Sequence, residues 1–211
     1  LYEDDDLLVV NKPAGIKTHP NGPGENFTLM NQVAAYLAKQ DKKAYMVHRI
    51  DQATSGVLLI GKTPIVNGIL NRQLSQKTMS RQYIAIANDP EQTLLEHATI
   101  NLPIGVDPYN KRKRTIDYIT GLSAVTHYQL LHRKVPSATL AVNLETGRTH
   151  QIRLHLAADG HPILGDPLYF PTDSTQRLLL HGQTLRYTEP FTDEQRTVTA
   201  PIPDIFNQYV D

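Results

Sequence analysis

At 211 residues, with 40% hydrophobic and 20% charged residues, the chain has the length for one well-buried domain of ordinary globular composition. Its apolar runs, such as Gly56–Ile60 and Leu178–Leu180, are too short to cross a bilayer; no charged-then-apolar leader opens it, and zero cysteines exclude disulfides and thiolate chemistry and fit a cytoplasmic location. The formal net charge is zero, but four acids lie in Glu3–Asp6 and five between Glu189 and Asp211, with Arg196 the one base there. Residues 7–188 therefore hold 12 acids against 20 bases, a pattern that can give a neutral protein a basic face.

The apolar run Leu7–Val10 ends at Lys12-Pro13-Ala14-Gly15 and predicts a buried strand stopped by a turn. Residues 16–27, rich in Gly, Pro, Asn and His, read as a loop. Leu29, Val33, Ala34 and Leu37 then fall at helical spacing across Thr28–Gln40. Gly56–Gly61 is strand-like, and Thr63-Pro64 supplies an N-cap and a first-turn proline for a helix through Lys77, with Ile65, Ile69, Leu70 and Leu74 as its apolar face. Arg81–Ala87, Leu94–Ile100, Ser123–Leu131 and Ala138–Leu144 predict further strands. Thr149 is the expected cap of a short helix that Gly160 ends, with Ile152, Leu156 and Ala157 turned inward. Gln176–Tyr187 and Arg196–Thr199 add late strands, and Pro203–Val210 closes as a short helix. Many strands, few helices and short connections predict an α+β fold on a mostly antiparallel sheet, with no internal repeat.

Two polar islands interrupt this pattern. His48-Arg49-Ile50-Asp51-Gln52-Ala53-Thr54-Ser55-Gly56 places a carboxylate, a guanidinium, an imidazole and two hydroxyls in a loop that leads into a strand. Glu145-Thr146-Gly147-Arg148-Thr149-His150-Gln151-Ile152-Arg153 begins at a turn and runs into the short helix. Either one alone reads as a polar turn with a helix cap. Together they resemble two signatures of the RluA-type pseudouridine synthases: HRLDxxTSG, with Ile50 at the usual Leu, and GRTHQIR, continuing through Gly160-His161-Pro162-Ile163-Leu164-Gly165-Asp166. Tyr2-Glu3-Asp4 and Val10-Asn11-Lys12-Pro13-Ala14-Gly15 resemble the opening of that catalytic domain. Arg81-Gln82-Tyr83 resembles its strand bearing an active-site tyrosine, with Arg81 where a lysine is commoner.

The resemblance covers nearly the whole chain in the family's order. It implies a pseudouridine synthase fold over residues 1–211, a mixed, mostly antiparallel sheet flanked by helices and loops, with an S4-type RNA-binding module preceding the domain in part of the family. It implies an isomerase without cofactor or metal that acts on uridines of ribosomal RNA or transfer RNA, as a monomer and away from membranes. By the same resemblance Asp51 is the nucleophile, Arg153 the cation that supports it with Arg148 in reserve, and Tyr83 an aromatic face for the extruded base. His48, Arg49, Thr54, Arg148, His150 and Gln151 are expected around the RNA, and Ile163 or Leu164 as an apolar wall beneath the base. A guanidinium about 4 Å from the carboxylate contributes on the order of 4 kcal/mol at an effective dielectric of about 20, before desolvation. Stacking on Tyr83, roughly 1–3 kcal/mol per base, offsets part of the cost of extruding a nucleotide. The one dense basic run, Lys111-Arg112-Lys113-Arg114, reads either as a solvated loop or as a set of phosphate contacts.

Three rival readings are weaker. His150 and His155 are five apart and no HExxH pattern occurs, which disfavours a zinc enzyme. An aspartate-nucleophile hydrolase would need a second acid or a general base near Asp51. An RNA-binding module without catalysis would have no use for Asp51.

Overall fold

The computed structural model describes residues 1–171, 175–192 and 194–210. Asp193 and Asp211, two of the five C-terminal acids, lie outside the described residues. In chain order the elements begin β1 (Tyr2–Glu3), β2 (Leu7–Lys12), α1 (Leu29–Ala38), β3 (Tyr45–Met46), β4 (Ser55–Gly61) and α2 (Pro64–Ser75). There follow β5 (Ser80–Asn88), β6 (His97–Asn101), β7 (Ile104–Val106), β8 (Arg114–Ile116), β9 (Val125–Lys134) and β10 (Ser137–Leu144). The chain ends with α3 (Gln151–Ala158), β11 (Leu180–Thr188), β12 (Gln195–Thr199), a 3-10 turn (Asp204–Phe206) and α4 (Asn207–Val210). No helix among the described residues is long and apolar enough to cross a membrane.

The chain divides into two compact units, Leu1–Arg81 with Gly182–Pro201, and Gln82–His181 with Ile202–Asp211. In the first, β1, β2, β4 and β11 lie side by side, with β3 also on β4 and β12 on β11. The β1–β2, β2–β4, β3–β4 and β11–β12 pairs are antiparallel. Leu7, Val9, Val57, Leu59, Leu185 and Tyr187 form one core with Val66 and Leu70 of α2. The cap expected at Thr63 is present, and Thr28 adds one that was not expected. Thr28 accepts the Asn31 N–H while the Asn31 side chain accepts the Thr28 N–H, and Thr63 accepts the Val66 N–H ahead of Pro64. The face of α2 is turned from the expected one: Val66, Leu70 and Gln73 are buried, whereas Ile65 is exposed. Ala34 of α1 is also exposed.

In the second unit the order is β5-β10-β9-β6, antiparallel throughout, and β7–β8 forms a separate hairpin. Strand β6 starts three residues later than expected, because the Asp89 carboxylate accepts the N–H groups of Thr93 and Leu94 and bends the chain there. Helix α3 departs most from expectation. Residues Gln151 to Leu156 are all buried, so it has no solvent face to read. Its cap is His150, in the left-handed region at φ 58° and without a side-chain cap bond, in place of the expected Thr149. Gly160 ends it as expected, at φ +87°.

Candidate active site

In the first unit Asp51 opens a tight turn, its carbonyl accepting the Thr54 N–H at 3.1 Å. Residues 12–18 brace this turn. Gly15 N–H donates to the Gln52 carbonyl at 2.8 Å, and the Gln52 side-chain amide donates to the Gly15 carbonyl at 2.9 Å. Thr18 Oγ1 donates to the Ile50 carbonyl at 2.7 Å. Lys12, 0% exposed, directs its ammonium to the carbonyls of Pro13 (2.8 Å), Ile16 (2.7 Å) and Gln52 (3.2 Å). A buried cation is tolerated when its donors are met in this way. The Lys12-Pro13-Ala14-Gly15 landmark is thus the support of the loop that carries Asp51. Gly56, just after the loop, has φ +126°, and a Cβ there would lie 2.2 Å from the Gly182 carbonyl oxygen. The glycine of the first signature is required by backbone-to-backbone approach of β4 and β11.

Of the residues expected around the RNA in this unit, Arg49 alone is exposed. Its Nη1 lies 3.1 Å from His19 Nε2. Thr54 is buried, and so is His48, whose Nε2 accepts the Leu59 N–H at 3.2 Å. Both side chains, expected around the RNA, sit inside the protein that carries the loop. Burial, helped by the Arg81 charge, pulls the His48 imidazole down to about 3. The ring therefore stays neutral, with its proton on Nδ1.

The folded value lies below the ordinary one of about 6.5, so unfolding takes up a proton at acid pH. The contribution of His48 to stability is complete above pH 6.5 and is lost as pH falls from there towards 3. The slope approaches 1.4 kcal/mol per pH unit. His48→Gln keeps an acceptor for Leu59 but cannot titrate. Denaturation across that window is expected to show this slope in the difference between parent and variant; parallel stability curves would refute it.

In the second unit Tyr83 lies on β5 opposite Val142 of β10 and is 5% exposed. Ile163 and Leu164 line the same strand, Ile163 bridging Ala87 and Leu164 donating its N–H to the Ile86 carbonyl at 2.9 Å. Both are buried, in keeping with an apolar wall. Gly165 follows at φ +73°, where a Cβ would lie 1.8 Å from the Arg177 carbonyl oxygen.

Arg153, on the first turn of α3, is buried and forms a two-pronged pair with Asp166: Nε to Oδ2 and Nη2 to Oδ1, each 2.8 Å. Asp166 Oδ1 also accepts the N–H groups of Leu168 (2.9 Å) and Tyr169 (3.1 Å). Burial raises the Asp166 carboxyl, but the guanidinium and these amides outweigh it, and the group lies below the usual carboxylate range. The Tyr169 ring sits under the guanidinium at 5.4 Å, and its hydroxyl meets His150 Nδ1 at 3.1 Å and the Arg114 N–H at 2.8 Å. Asp166 and Tyr169 were not among the expected site residues. The Gly165-Asp166 landmark was the only sign of the first, and the second carried none.

The remaining second-island residues divide. Gln151 is buried with its amide satisfied within the protein. Its Oε1 accepts from Thr146 (2.8 Å) and the Arg148 N–H (3.0 Å), and its Nε2 donates to Val125 O and Thr126 Oγ1, both at 3.0 Å. Thr126 Oγ1 in turn meets His155 Nδ1 at 2.9 Å, and His155 Nε2 meets the Leu102 carbonyl at 3.0 Å. Gln151, expected around the RNA, therefore ties α3 to β9. Arg148 is exposed, with Nε on the Ser123 carbonyl at 3.1 Å. Lys111 and Arg112 are exposed on the β7–β8 loop, Lys113 is half-buried, and Arg114 begins β8 with its guanidinium folded back on the Lys111 and Lys113 carbonyls. Among the described residues no group of three or more His, Asp and Glu is placed to hold a metal ion.

A braced aspartate turn in one unit, and in the other a buried tyrosine strand and a carboxylate-locked arginine, accompany a family match. Residues 6–158 match the model of the RNA pseudouridylate synthases, and the chain belongs to that family of RNA-modifying isomerases. Asp51, Tyr83 and Arg153 all fall within the matched residues.

Among its relatives is the RNA pseudouridine synthase YhcT of Bacillus subtilis, described as uncharacterized, at 41% identity over 96% of this chain and 68% of that protein. Another is the ribosomal large subunit pseudouridine synthase D of Neisseria meningitidis serogroup A, at 37% identity over 97% of this chain and 58% of that protein. The human RNA pseudouridylate synthase domain containing 1 structure superposes with a TM-score of 0.79 at 26% identity, covering 100% of this chain and 84% of that one. This chain thus spans roughly three fifths to two thirds of these two bacterial relatives.

Proposed function

We propose that residues 1–211 act as one catalytic domain that converts specific uridines of structured RNA to pseudouridine, with 23S ribosomal RNA as the first target to test and transfer RNA as the second. In the reaction the C1′–N1 bond breaks, a C1′–C5 bond forms, the C5 hydrogen leaves as a proton and N1 takes one up. No redox step is involved, and none of the proposed steps uses a cofactor. The observation that carries the reading is the Asp51 turn, whose position is fixed from beneath by Lys12, Gly15 and Thr18. Holding a reactive group in place before the substrate arrives is a large part of catalysis.

Asp51 is the nucleophile of this proposal, keeping the detached base covalently held while it turns. Tyr83 is the aromatic neighbour of the extruded uracil, Ile163 and Leu164 its apolar wall, and Arg153 the cation that supports the carboxylate. Arg49, Arg148, His150 and the basic loop meet the RNA. The protein works as a cytoplasmic monomer. Support comes from the family match and from the named relatives, one of which is named a ribosomal large subunit pseudouridine synthase.

Tritium at uridine C5 tests it directly. Purified protein is expected to release tritium from labelled 23S or transfer RNA transcripts in proportion to pseudouridine found by mapping. Folded protein that releases none from either RNA would overturn the proposal.

The exposed pair Lys111 and Arg112 is expected to dominate the basic run. Neutralising both should lower the magnitude of the log–log salt slope of RNA binding by roughly 0.7–0.9 per lost phosphate contact, with turnover at saturating RNA little changed. An unchanged slope would return the run to a solvated loop.

A further inference from the structure

The His19 ring is set against the one exposed guanidinium of the loop that carries Asp51. The contact is Arg49 Nη1 to His19 Nε2, 3.1 Å. An arginine can only donate, so the imidazole accepts at Nε2 and its proton lies on Nδ1. Burial and the adjoining Arg49 lower the imidazole pKa, with Glu25 acting in the opposite sense, so the neutral acceptor form is favoured. Glu25 itself is paired with Lys17 at 2.6 Å.

The ring does not sit on a loose loop. Its neighbour Thr18 donates from Oγ1 to the Ile50 carbonyl, and the amides of Leu29 and Met30 at the start of α1 donate to the carbonyls of Lys17 and Thr18. His19 is therefore held by two elements beside Arg49, and Arg49 is two residues from Asp51. We propose that His19 is a positioning residue that holds the Arg49 guanidinium in one orientation for the RNA flanking the target uridine. The inference rests on the reading of Arg49 as an RNA contact.

Two alternatives make different predictions. If His19 supplied positive charge to the RNA, a permanent cation in its place would serve as well or better. If it merely packed, any ring of similar size would do. A long, flexible arginine left without its acceptor samples many rotamers, and ordering them opposes binding. Exclusion of water by bound RNA strengthens a contact that counts for little while exposed.

The test is a double-mutant cycle on RNA dissociation constants and single-turnover rates, using a 23S fragment or transfer RNA that the parent protein modifies. His19→Gln, whose amide oxygen can accept from Arg49, is expected to keep near-parental affinity. His19→Phe and His19→Lys are each expected to weaken RNA binding about three- to tenfold, the range of one modest hydrogen bond. The single-turnover rate at saturating RNA should change little. In an Arg49→Met background the His19 substitutions should have no further effect. His19→Lys binding as tightly as the parent, His19→Phe matching His19→Gln, or equal losses with and without Arg49 would each overturn the proposal. If Arg49→Met itself left affinity unchanged, the underlying assignment of Arg49 would fail, a result distinguishable from failure of His19 alone.

Discussion

Asp51→Asn is expected to fold, to bind RNA with near-parental affinity, and to release no measurable tritium from uridine-labelled substrate. The turn that presents residue 51 uses the main-chain carbonyl, which accepts from Thr54, and the surrounding bonds from Gly15, Lys12 and Thr18 also reach main-chain atoms. None of these depends on the side chain at 51, so the loop should keep its form. The amide preserves size and polarity and removes the proposed nucleophile. Removing the nucleophile in a covalent mechanism costs on the order of 10⁶-fold in rate, which puts the variant below detection. Turnover within about a hundredfold of the parent would exclude Asp51 from that role.

Arg153→Met should be the most damaging of the arginine substitutions, for two reasons that can be separated. It strands the buried Asp166 carboxylate, and breaking one side of a buried pair costs about 3–5 kcal/mol of stability. It also removes the cation proposed to support Asp51. Arg153 and Asp166 together are neutral, so the pair brings no net positive charge to that role. What the guanidinium can still offer is directed N–H groups, whose orientation the two-pronged pair with Asp166 fixes.

The double variant Arg153→Met with Asp166→Leu removes both charges. It is expected to recover most of the stability by chemical denaturation while the single-turnover rate at saturating RNA stays depressed. Recovery of the rate together with stability would reduce Arg153 to a structural part. Arg148→Met loses one exposed contact to Ser123 and should act on RNA affinity. A reversed pattern between the two arginines would exchange their roles.

The helices legible in the sequence were those with one dry face and a side-chain cap. The spacing of Leu29, Val33 and Leu37 announced α1 and Thr63-Pro64 announced α2, although the inward stripe of α2 was misjudged because Val66 and Ile65 are adjacent and equally apolar. Helix α3 was expected with a Thr149 cap and one inward face of Ile152, Leu156 and Ala157, and it has neither. It is surrounded, so Gln151, Arg153 and His155 point into protein and not into water. The short strands β3, β7 and β8 have two or three residues each, too few for an alternation to be seen.

Within the site, the Asp51 and Arg153 islands were recognisable as chemistry-bearing sequence. Which of their residues face inward was not. His48, Thr54 and Gln151 look like surface polar groups in the primary structure, and their burial depends on partners such as Leu59 and Thr126 that are distant or unremarkable in sequence. The Arg153–Asp166 pair joins residues thirteen apart across a helix end and a turn, beyond any local pattern.

The ammonium beneath the Asp51 loop gives that loop a chemical clock. Lys12 has no accessible surface and directs its protons to carbonyls, so an acylating reagent can reach it only after residues 12–18 and 52 part company. Lys111, exposed on its hairpin loop, reacts without any such delay. While reclosing outpaces acylation, the ratio of the two labelling rates, corrected for intrinsic reactivity, measures the equilibrium for opening this segment alone. Slower labelling of Lys12 when RNA is bound would mean that substrate tightens the clasp that carries Asp51, and peptide mass spectrometry can follow both lysines in one sample.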